Sequence, residues 1–361
     1  MAPIPIAEAG GETLMMAFSA QTWSARFRVV GFVAVVLLAG PTAAEQDFPK
    51  NVIESVVAVT AIIPDDARTV RTLGGLRSGS GIVIDDDGLV LTIGYLILEA
   101  EKAAVSNADD ELVPAALVAY DQATGFGLLR AERSLGIRPV KLGTSADLAE
   151  GNKVIVVSKG GPAPVMAAQV SSRREFAGYW EYLLDNAIFT VPAFPHFGGA
   201  ALIDRQGRLV GVGSLMVNDA AGPGAPVQGN MFVPIDLLKP ILNELLAKGR
   251  ASATAHPWLG IYSNQNNGRV IVAHLADDGP AAEAGILPGD VIIGVGGRRV
   301  SGIADFYRKI RAQGGAGDEI PIDLVPIREG KLEIKTIKVP SRDRHDWLRL
   351  NRKKNPDGEK L

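Results

Sequence analysis

Short apolar segments separated by glycine-containing turns fill residues 51–233. Segments of this kind recur at 51–63, 82–84, 89–92, 113–120, 127–130, 154–157 and 209–213. Runs of about four to eight residues with almost no helical period are typical of the strands of an all-β barrel. Between the first two segments, residues 68–80 are polar and contain glycine, which predicts a mobile loop. A second half-barrel is expected from Ala167 to Val233.

A helical pattern first appears after Pro234. Six apolar side chains then fall on one helix face: Leu237, Leu238, Ile241, Leu242, Leu245 and Leu246. Asp236 is placed to cap the start of this helix, and Gly249 is placed to end it. Residues 250–256 are small and polar, and we interpret them as a linker between two domains.

Residues 257–340 form a second module in which helical and alternating patterns are mixed. Helical spacing covers 303–313, and two alternating segments, 320–326 and 332–339, end the module. Residues 341–361 contain seven Lys or Arg against four Asp or Glu and few apolar side chains. A solvated polar C-terminal tail is therefore expected.

The first 44 residues have the pattern of a secretory signal peptide. Arg26 and Arg28 precede the apolar run 29–40, and small residues lead to Ala44. The alternative is an uncleaved membrane anchor, but the run is short against the ~20 apolar residues that span a bilayer. Cleavage after Ala44 predicts a periplasmic or otherwise extracytoplasmic mature protein. Met15 and Met16 leave the true start methionine open.

Composition narrows the chemistry further. The 361 residues are 47% hydrophobic and 21% charged, with a formal net charge of -3 and no cysteine. With this net charge the protein has no overall positive electrostatic potential that would attract nucleic acid. The absence of cysteine excludes disulfides, a thiol nucleophile and a thiolate metal site. The glycine-rich stretches do not join a strand to a helix with a basic residue in place, so they are not phosphate loops.

Two stretches resemble one known family. The segment from Ser78-Gly79-Ser80-Gly81 to Leu91-Thr92, the Gly198-Gly199 strand pair and the 231–235 lead into a helix resemble HtrA/DegP-type serine proteases. The Trp258-Leu259-Gly260-Ile261 loop and the later 279–290 pattern resemble the PDZ domain that follows in that family. The resemblance implies a mainly β fold, a trypsin-like double six-stranded β-barrel at 45–249. A PDZ domain, a β-sandwich with helices, would follow at 257–340.

The resemblance also places the family's catalytic positions on residues of this chain. The histidine position falls on Tyr95, the aspartate position on Gly125 and the serine position on Phe197. Pro195 stands where the family has a glycine whose N–H binds the oxyanion. A phenyl ring cannot act as the nucleophile, and proline has no N–H to donate. No catalytic residue is therefore expected at any of these positions.

The histidines support the same conclusion without the resemblance. A serine triad needs an imidazole base, and none of the four histidines lies in the first half of the barrel. His196 is beside the serine position but has no His or Cys partner at short spacing, so neither a metal nor a cofactor is predicted. Tyr95 has an ordinary pKa of ~10 and would be neutral. We expect Tyr95 and Phe197 to fill the former cleft by aromatic packing.

The second module keeps the parts that a PDZ domain uses. The resemblance implies that the N–H groups of Leu259, Gly260 and Ile261 receive a terminal carboxylate, with Trp258 beside them and the peptide added as a strand. Gly260 lets the loop approach the carboxylate closely. The alternative is that Trp258 and Leu259 are core residues only.

Three functional hypotheses remain open. The first is a secreted, proteolytically inactive HtrA-like scaffold, adaptor or chaperone-like protein that binds peptides or protein C-termini. The second is an active serine endopeptidase of protein quality control with a relocated triad. The third is a regulatory subunit of active HtrA paralogues, because the family forms trimers and larger cages. A homo-oligomer or a hetero-oligomer would follow from that resemblance, and no nucleic-acid partner would.

Overall fold

The structure is a computed structural model that describes residues 50–161, 163–251, 255–326 and 333–350. The predicted signal peptide lies outside the described residues. None of the helices within these ranges is both long and apolar enough to span a membrane.

The first six strands close into an antiparallel barrel in the order β1-β2-β3-β6-β5-β4. They are β1 Val56–Ile62, β2 Leu76–Val83, β3 Leu89–Ile93, β4 Lys102–Ser106, β5 Leu112–Tyr120 and β6 Phe126–Ala131. Two short helices, α1 Lys50–Glu54 and α2 Val70–Leu73, precede β1 and β2. Closure pairs every strand on both edges and encloses buried side chains such as Leu91 and Leu128.

The mobile loop predicted over 68–80 is wrong, because its second half is strand β2. The residues from Leu76 to Ile82 pair with β1 over its whole length, and Arg77 is 4% exposed. The guanidinium of Arg77 donates to the carbonyls of Tyr95 and Leu98 at 2.8 and 3.0 Å. A polar residue satisfied in this way can be buried, which the polarity of the sequence alone does not reveal.

Six further strands close the second barrel in the order β10-β11-β12-β9-β8-β7. They are β7 Lys153–Val157, β8 Val165–Gly178, β9 Tyr182–Val191, β10 Ala201–Ile203, β11 Leu209–Val217 and β12 Gly229–Pro234. The long β8–β9 hairpin ends in a three-residue loop, because Gly178 pairs with Tyr182. The predicted trypsin-like double barrel of six strands each is confirmed.

The helix predicted after Pro234 begins later than expected. A short 3-10 helix covers Ile235–Leu237, and the α-helix α3 covers only Leu242–Lys248, with Gly249 left-handed at its end (φ 74°). Pro240 has no N–H that could donate to the carbonyl four residues earlier. Regular α-helical hydrogen bonding therefore begins after this residue. Asp236 does not cap α3. Its carboxylate accepts instead from the Ser145 hydroxyl, at 2.8 Å.

The C-terminal module is a six-stranded antiparallel sheet with two helices against it. Its main path runs β13-β14-β15-β17-β18, and β16 pairs with β15. The elements are β13 Ile261–Asn266, β14 Arg269–Leu275, α4 Pro280–Glu283, β15 Val291–Val295, β16 Arg298–Arg299, α5 Ile303–Arg311, β17 Glu319–Val325 and β18 Lys335–Pro340. Strand β13 is at one end of this path, so one of its edges has no partner strand within the sheet.

The first part of the predicted polar tail is folded. Helix α6 covers Arg344–Trp347, and the Trp347 ring lies 4.5 Å from the Trp258 ring, centroid to centroid. The backbones of Trp258 and Arg342 exchange two hydrogen bonds of 3.0 Å. Leu348 is only 2% exposed. The tail is polar on average, but a few apolar side chains are sufficient to dock it.

Candidate functional site

The histidine position lies on a 3-10 turn that follows β3, at Gly94–Leu96. Tyr95 packs against the core of the barrels, and its hydroxyl donates to the Ser214 carbonyl at 3.0 Å. Burial raises the pKa of the Tyr95 hydroxyl well above its ordinary value. The group at this position is therefore a neutral phenol that bonds to the backbone, and it is not poised to accept a proton at neutral pH.

The aspartate position is filled by a neighbouring side chain. Gly125 is left-handed (φ 80°), and a Cβ there would lie 3.2 Å from the Tyr182 hydroxyl. That hydroxyl donates to the carbonyl of Thr124 in a short hydrogen bond. The Gly94 N–H donates to the Gly125 carbonyl at 2.7 Å, which keeps this turn beside the histidine position.

A carboxylate near this turn was not singled out from the sequence. Asp121 is 7% exposed, and one of its oxygens accepts from the N–H and the hydroxyl of Thr124, at 2.8 and 2.6 Å. These bonds close the 121–125 turn. Asp121 therefore has a local structural role in this geometry and does not orient an imidazole.

The serine position lies in a tight turn that only glycine can form. Gly199 is left-handed (φ 73°) and its N–H donates to the Gly213 carbonyl at 2.9 Å. A Cβ on Gly199 would overlap the Ser80 carbonyl oxygen. Phe197 is partly exposed at the start of this turn, and Pro195 is exposed two residues before it.

The structure brings the three substituted positions together. The Tyr95 hydroxyl lies 2.9 Å from where a Cβ of Gly198 would be, and Gly125 is held beside Gly94. The predicted aromatic filling is seen only in part, because Tyr95 packs inward while Phe197 remains partly exposed. Among the ring contacts of the described residues, none joins these two side chains. The three neighbouring positions thus hold a phenol, a glycine and a phenyl ring.

The histidines do not supply a base from elsewhere. His196 is exposed, lies edge-on to Phe194 at 6.1 Å and abuts the backbone of Gly161. His256 lies two residues before Trp258, and the remaining two are on β14 and α6. Among the described residues, no group of three or more Asp, Glu or His side chains is arranged to hold a metal ion.

Two buried serines, Ser214 and Ser158, lie in or next to barrel strands, where a relocated nucleophile would be sought. Ser214 lies in β11 and is 4% exposed, and its carbonyl is the acceptor for Tyr95. Ser158 is 2% exposed, and its hydroxyl has no hydrogen-bond partner in the described part of the chain. A serine becomes nucleophilic when an adjacent base takes its proton. The geometry at Ser158 supplies no such base.

The PDZ loop forms a cradle of backbone N–H groups, and a carboxylate lies in it. The N–H of Leu259 donates to one oxygen of Glu181 at 3.0 Å, and the N–H of Ile261 donates to the other at 2.7 Å. Gly260 between them is left-handed (φ 77°), and its N–H also interacts with this carboxylate. We call Leu259–Ile261 the carboxylate cradle. Trp258 lies outside it, because its N–H donates to Arg342 and its ring is buried against Trp347.

The fold and the two sites define a class of protein: a trypsin-like double barrel followed by a PDZ domain. The trypsin-like peptidase domain family matches residues 79–212, and the PDZ domain family matches residues 257–339. The chain is therefore homologous to the DegP/HtrA serine proteases.

Individual relatives agree with this assignment. A probable periplasmic serine endoprotease, DegP-like, of Pseudomonas fluorescens is 27% identical over 304 residues, covering 78% of this chain and 60% of that protein. Protease Do-like 1, chloroplastic, of Arabidopsis thaliana is 29% identical over 297 residues, covering 75% and 66%. The chain thus spans about three fifths to two thirds of the length of these relatives.

A solved structure shows the same fold. The HtrA-type protease AlgW, in a variant bound to a tripeptide, aligns with a TM-score of 0.50 at 21% identity. The alignment covers 80% of this chain and 94% of that one. This likeness concerns the fold alone.

Proposed function

We propose that this protein is a proteolytically inactive HtrA-like protein that binds peptides or protein C-termini through its PDZ domain. The observation that carries the proposal is the state of the three catalytic positions. They converge in space, yet they hold a neutral phenol, a glycine and a phenyl ring. The triad reaction needs a nucleophile and a base at these points, and neither is present there.

The carboxylate cradle supports the binding half of the proposal. Its N–H groups are spaced to hold two oxygens of one carboxylate, as the contacts to Glu181 demonstrate. A PDZ domain recognises a terminal carboxylate at such a loop and pairs the peptide backbone with the adjacent strand edge. Strand β13 offers that edge.

We also infer export to the periplasm. The basic residues, apolar run and small residues that end at Ala44 support it, as does the similarity to a probable periplasmic protease of Pseudomonas fluorescens. N-terminal sequencing of the exported protein should begin near Glu45. A retained N-terminus in the membrane fraction would contradict cleavage.

The proposed absence of proteolytic activity is tested by incubating the purified full chain with casein and with a fluorogenic peptide. We expect no turnover and no labelling by a fluorophosphonate probe, which reacts with activated serines. A proteolytically active HtrA protease, assayed in parallel, is the positive control. Turnover that persists through a second column and is blocked by the probe would establish the alternative, a serine endopeptidase.

The proposed peptide binding is tested with peptides that have apolar C-termini, either free or amidated. The full chain should prefer the free acid, because only a carboxylate can accept from the whole cradle. Gly260→Val should abolish this preference, since valine is strained at a φ of 77°. Equal affinity for acid and amide would argue against carboxylate recognition.

A further inference from the structure

The carboxylate in the cradle belongs to the chain itself. Glu181 is at the tip of the β8–β9 hairpin of the second barrel, 78 residues before Leu259. Its two oxygens take the N–H groups that a ligand terminus would need. The N–H groups that would recognise the terminal carboxylate of a ligand are therefore already occupied by Glu181.

The same hairpin also occupies the strand edge beside the cradle. The N–H of Ser263, on β13, donates to the carbonyl of Tyr179 at 2.9 Å. Alternate N–H groups of a strand point to the same edge, so Ile261 and Ser263 both face the hairpin. A peptide added to β13 would use these two donors. Glu181 accepts from Ile261 and Tyr179 accepts from Ser263, so both donors are occupied by the hairpin.

Helix α5 holds the hairpin from the other side. The Tyr307 hydroxyl donates to the Gly178 carbonyl at 2.9 Å and accepts from the Glu181 N–H at 3.2 Å. Arg308 forms a close ion pair with Glu175. Leu183 is 5% exposed and belongs to the apolar core of the PDZ domain, which includes Leu259, Ile261 and Ile310. The hairpin thus supplies a carboxylate, a backbone partner and an apolar anchor.

The local backbone fits this role. Glu181 is left-handed (φ 60°) at the last position of the three-residue loop. Glycine is the usual residue at that position of such hairpins, because it adopts a positive φ without strain. A glutamate there is unfavourable for the turn itself. Its carboxylate, however, forms stabilising hydrogen bonds with the N–H groups of the cradle.

We propose that Tyr179–Glu181 is an internal ligand that occupies the peptide groove, so that a partner's C-terminus binds only after the hairpin has left. This inference rests on the proposed peptide-binding function and describes its regulation. The partner's apparent affinity is then its intrinsic affinity reduced by the fraction of molecules with an open groove. Displacement of the hairpin would make the groove available to a partner's C-terminus.

The first test measures the groove without any ligand. Amide hydrogen exchange of the full chain should show the 259–263 N–H groups protected in the wild type. Glu181→Gly removes the carboxylate and keeps the turn, so exchange over 259–263 should be about tenfold faster or more. Adding Tyr307→Phe should raise it further, because that hydroxyl also holds the hairpin.

A matched control is available in the first barrel. Asp110 is also an acidic residue with a positive φ (62°), in the turn between β4 and β5. Asp110→Gly should leave exchange over 259–263 unchanged. Equal exchange in the wild type and both Glu181→Gly proteins would overturn the internal-ligand proposal.

The second test adds a probe. A fluorescein-labelled peptide, Phe-Ala-Gly-Tyr-Trp-Val with a free C-terminus, is titrated with each full-chain protein by fluorescence anisotropy. Glu181→Gly should bind it about tenfold tighter or more than the wild type, and Asp110→Gly should bind it like the wild type. Equal and measurable binding to all three proteins would refute the internal ligand and keep the proposed function. Faster exchange with no binding by any protein would refute the proposed function and keep the docked hairpin.

Discussion

At the scale of single residues, Glu181 combines a left-handed backbone with a carboxyl group held by the cradle. Burial raises its pKa from an ordinary 4.5 to about 7, although the N–H groups of the cradle and the charge of Arg344 act in the opposite direction. Tyr262 on β13 and Tyr307 and Arg311 on α5 are the other titratable or charged groups near it. The carboxyl group thus changes charge near neutral pH only while the hairpin is docked.

This shift predicts a pH dependence with a definite sign. A group whose pKa is raised in the folded state stabilises it fully below its unfolded pKa, and loses this contribution as the pH rises through the folded pKa. The advantage of the wild type over Glu181→Gln in thermal midpoint should therefore shrink between about pH 5 and about pH 7.5. Glu132→Gln, an exposed change, is the control. A difference that is constant or grows with pH would contradict the shift.

At the scale of elements, Arg77 ties the start of β2 to the turn that carries the histidine position. Besides the carbonyls of Tyr95 and Leu98, its guanidinium donates to the Gly74 carbonyl at 3.0 Å and to the Thr69 hydroxyl at 2.8 Å. Burial lowers the pKa of Arg77 to about 10, so it remains charged at neutral pH.

Replacing this side chain should be costly. Arg77→Met leaves several buried acceptors unpaired, and each can cost about 1–3 kcal/mol. We expect the free energy of unfolding to fall by about 3 kcal/mol or more, measured by urea denaturation. Arg133→Met, which breaks only an exposed contact with Glu111 at 3.8 Å, should change it by less than about 1 kcal/mol. Similar effects of the two changes would refute the role of Arg77.

Helix α6 is a second element whose importance comes from its docking. Trp347 lies between Trp258 and the Arg68 guanidinium, which is 4.5 Å from its ring centroid. Trp347→Ala should lower the free energy of unfolding by about 2 kcal/mol, since it removes aromatic packing and a cation–π contact.

Truncation tests how much residues 341–350 contribute to stability. A chain ended after Pro340 should have a lower thermal midpoint than one ended after Leu350, because it loses the Trp258–Arg342 backbone pair. Removal of 351–361 alone serves as the matched control and should change little. Equal midpoints for the two truncations would show that α6 does not support the PDZ domain.

At the scale of the whole molecule, the three positions of the proposed inactive site come from both barrels, Tyr95 and Gly125 from the first and Phe197 from the second. Phe197→Ser should restore no peptide turnover, nor should Tyr95→His combined with Phe197→Ser. An aspartate cannot simply be restored at the third position, Gly125. Its Cβ would crowd the Tyr182 hydroxyl, and the positive φ of this residue would strain an aspartate backbone. Pro195 also removes an oxyanion donor, which alone is worth ~10²–10³ in rate.

The measurement is fluorogenic-peptide hydrolysis by these variants beside the wild type. Without a complete triad only ~10³–10⁴-fold catalysis over water remains in a serine protease that keeps its oxyanion hole. We therefore expect rates at the background level of the assay. Turnover by Phe197→Ser that exceeds the wild type and is blocked by a serine-directed probe would show that a base survives elsewhere.

The hairpin connects the two sites of the molecule. Glu181 lies in the PDZ cradle, and the next residue, Tyr182, bonds to Thr124 beside the aspartate position. Two adjacent residues of the hairpin thus contact the carboxylate cradle and the turn that contains Gly125. Withdrawal of the hairpin would change the surroundings of both.

The sequence by itself determined the two barrels and the PDZ module, and it predicts the loss of catalytic groups. Strand patterns are local, and the chemistry of Phe197, Pro195 or Gly125 depends on residue type alone. A resemblance was enough to place these residues, and the structure brings their positions together.

Only the tertiary structure decided which polar residues leave the solvent and what lies in the carboxylate cradle. Arg77 and Glu181 look like solvated residues in the sequence, because their partners are distant along the chain. The acceptors of Arg77 include a carbonyl 21 residues away, and the donors to Glu181 are 78 and 80 residues away. The contacts of Arg77 depend on how the first barrel folds, and those of Glu181 depend on how the hairpin packs on the PDZ domain. Local hydrophobic patterns encode neither.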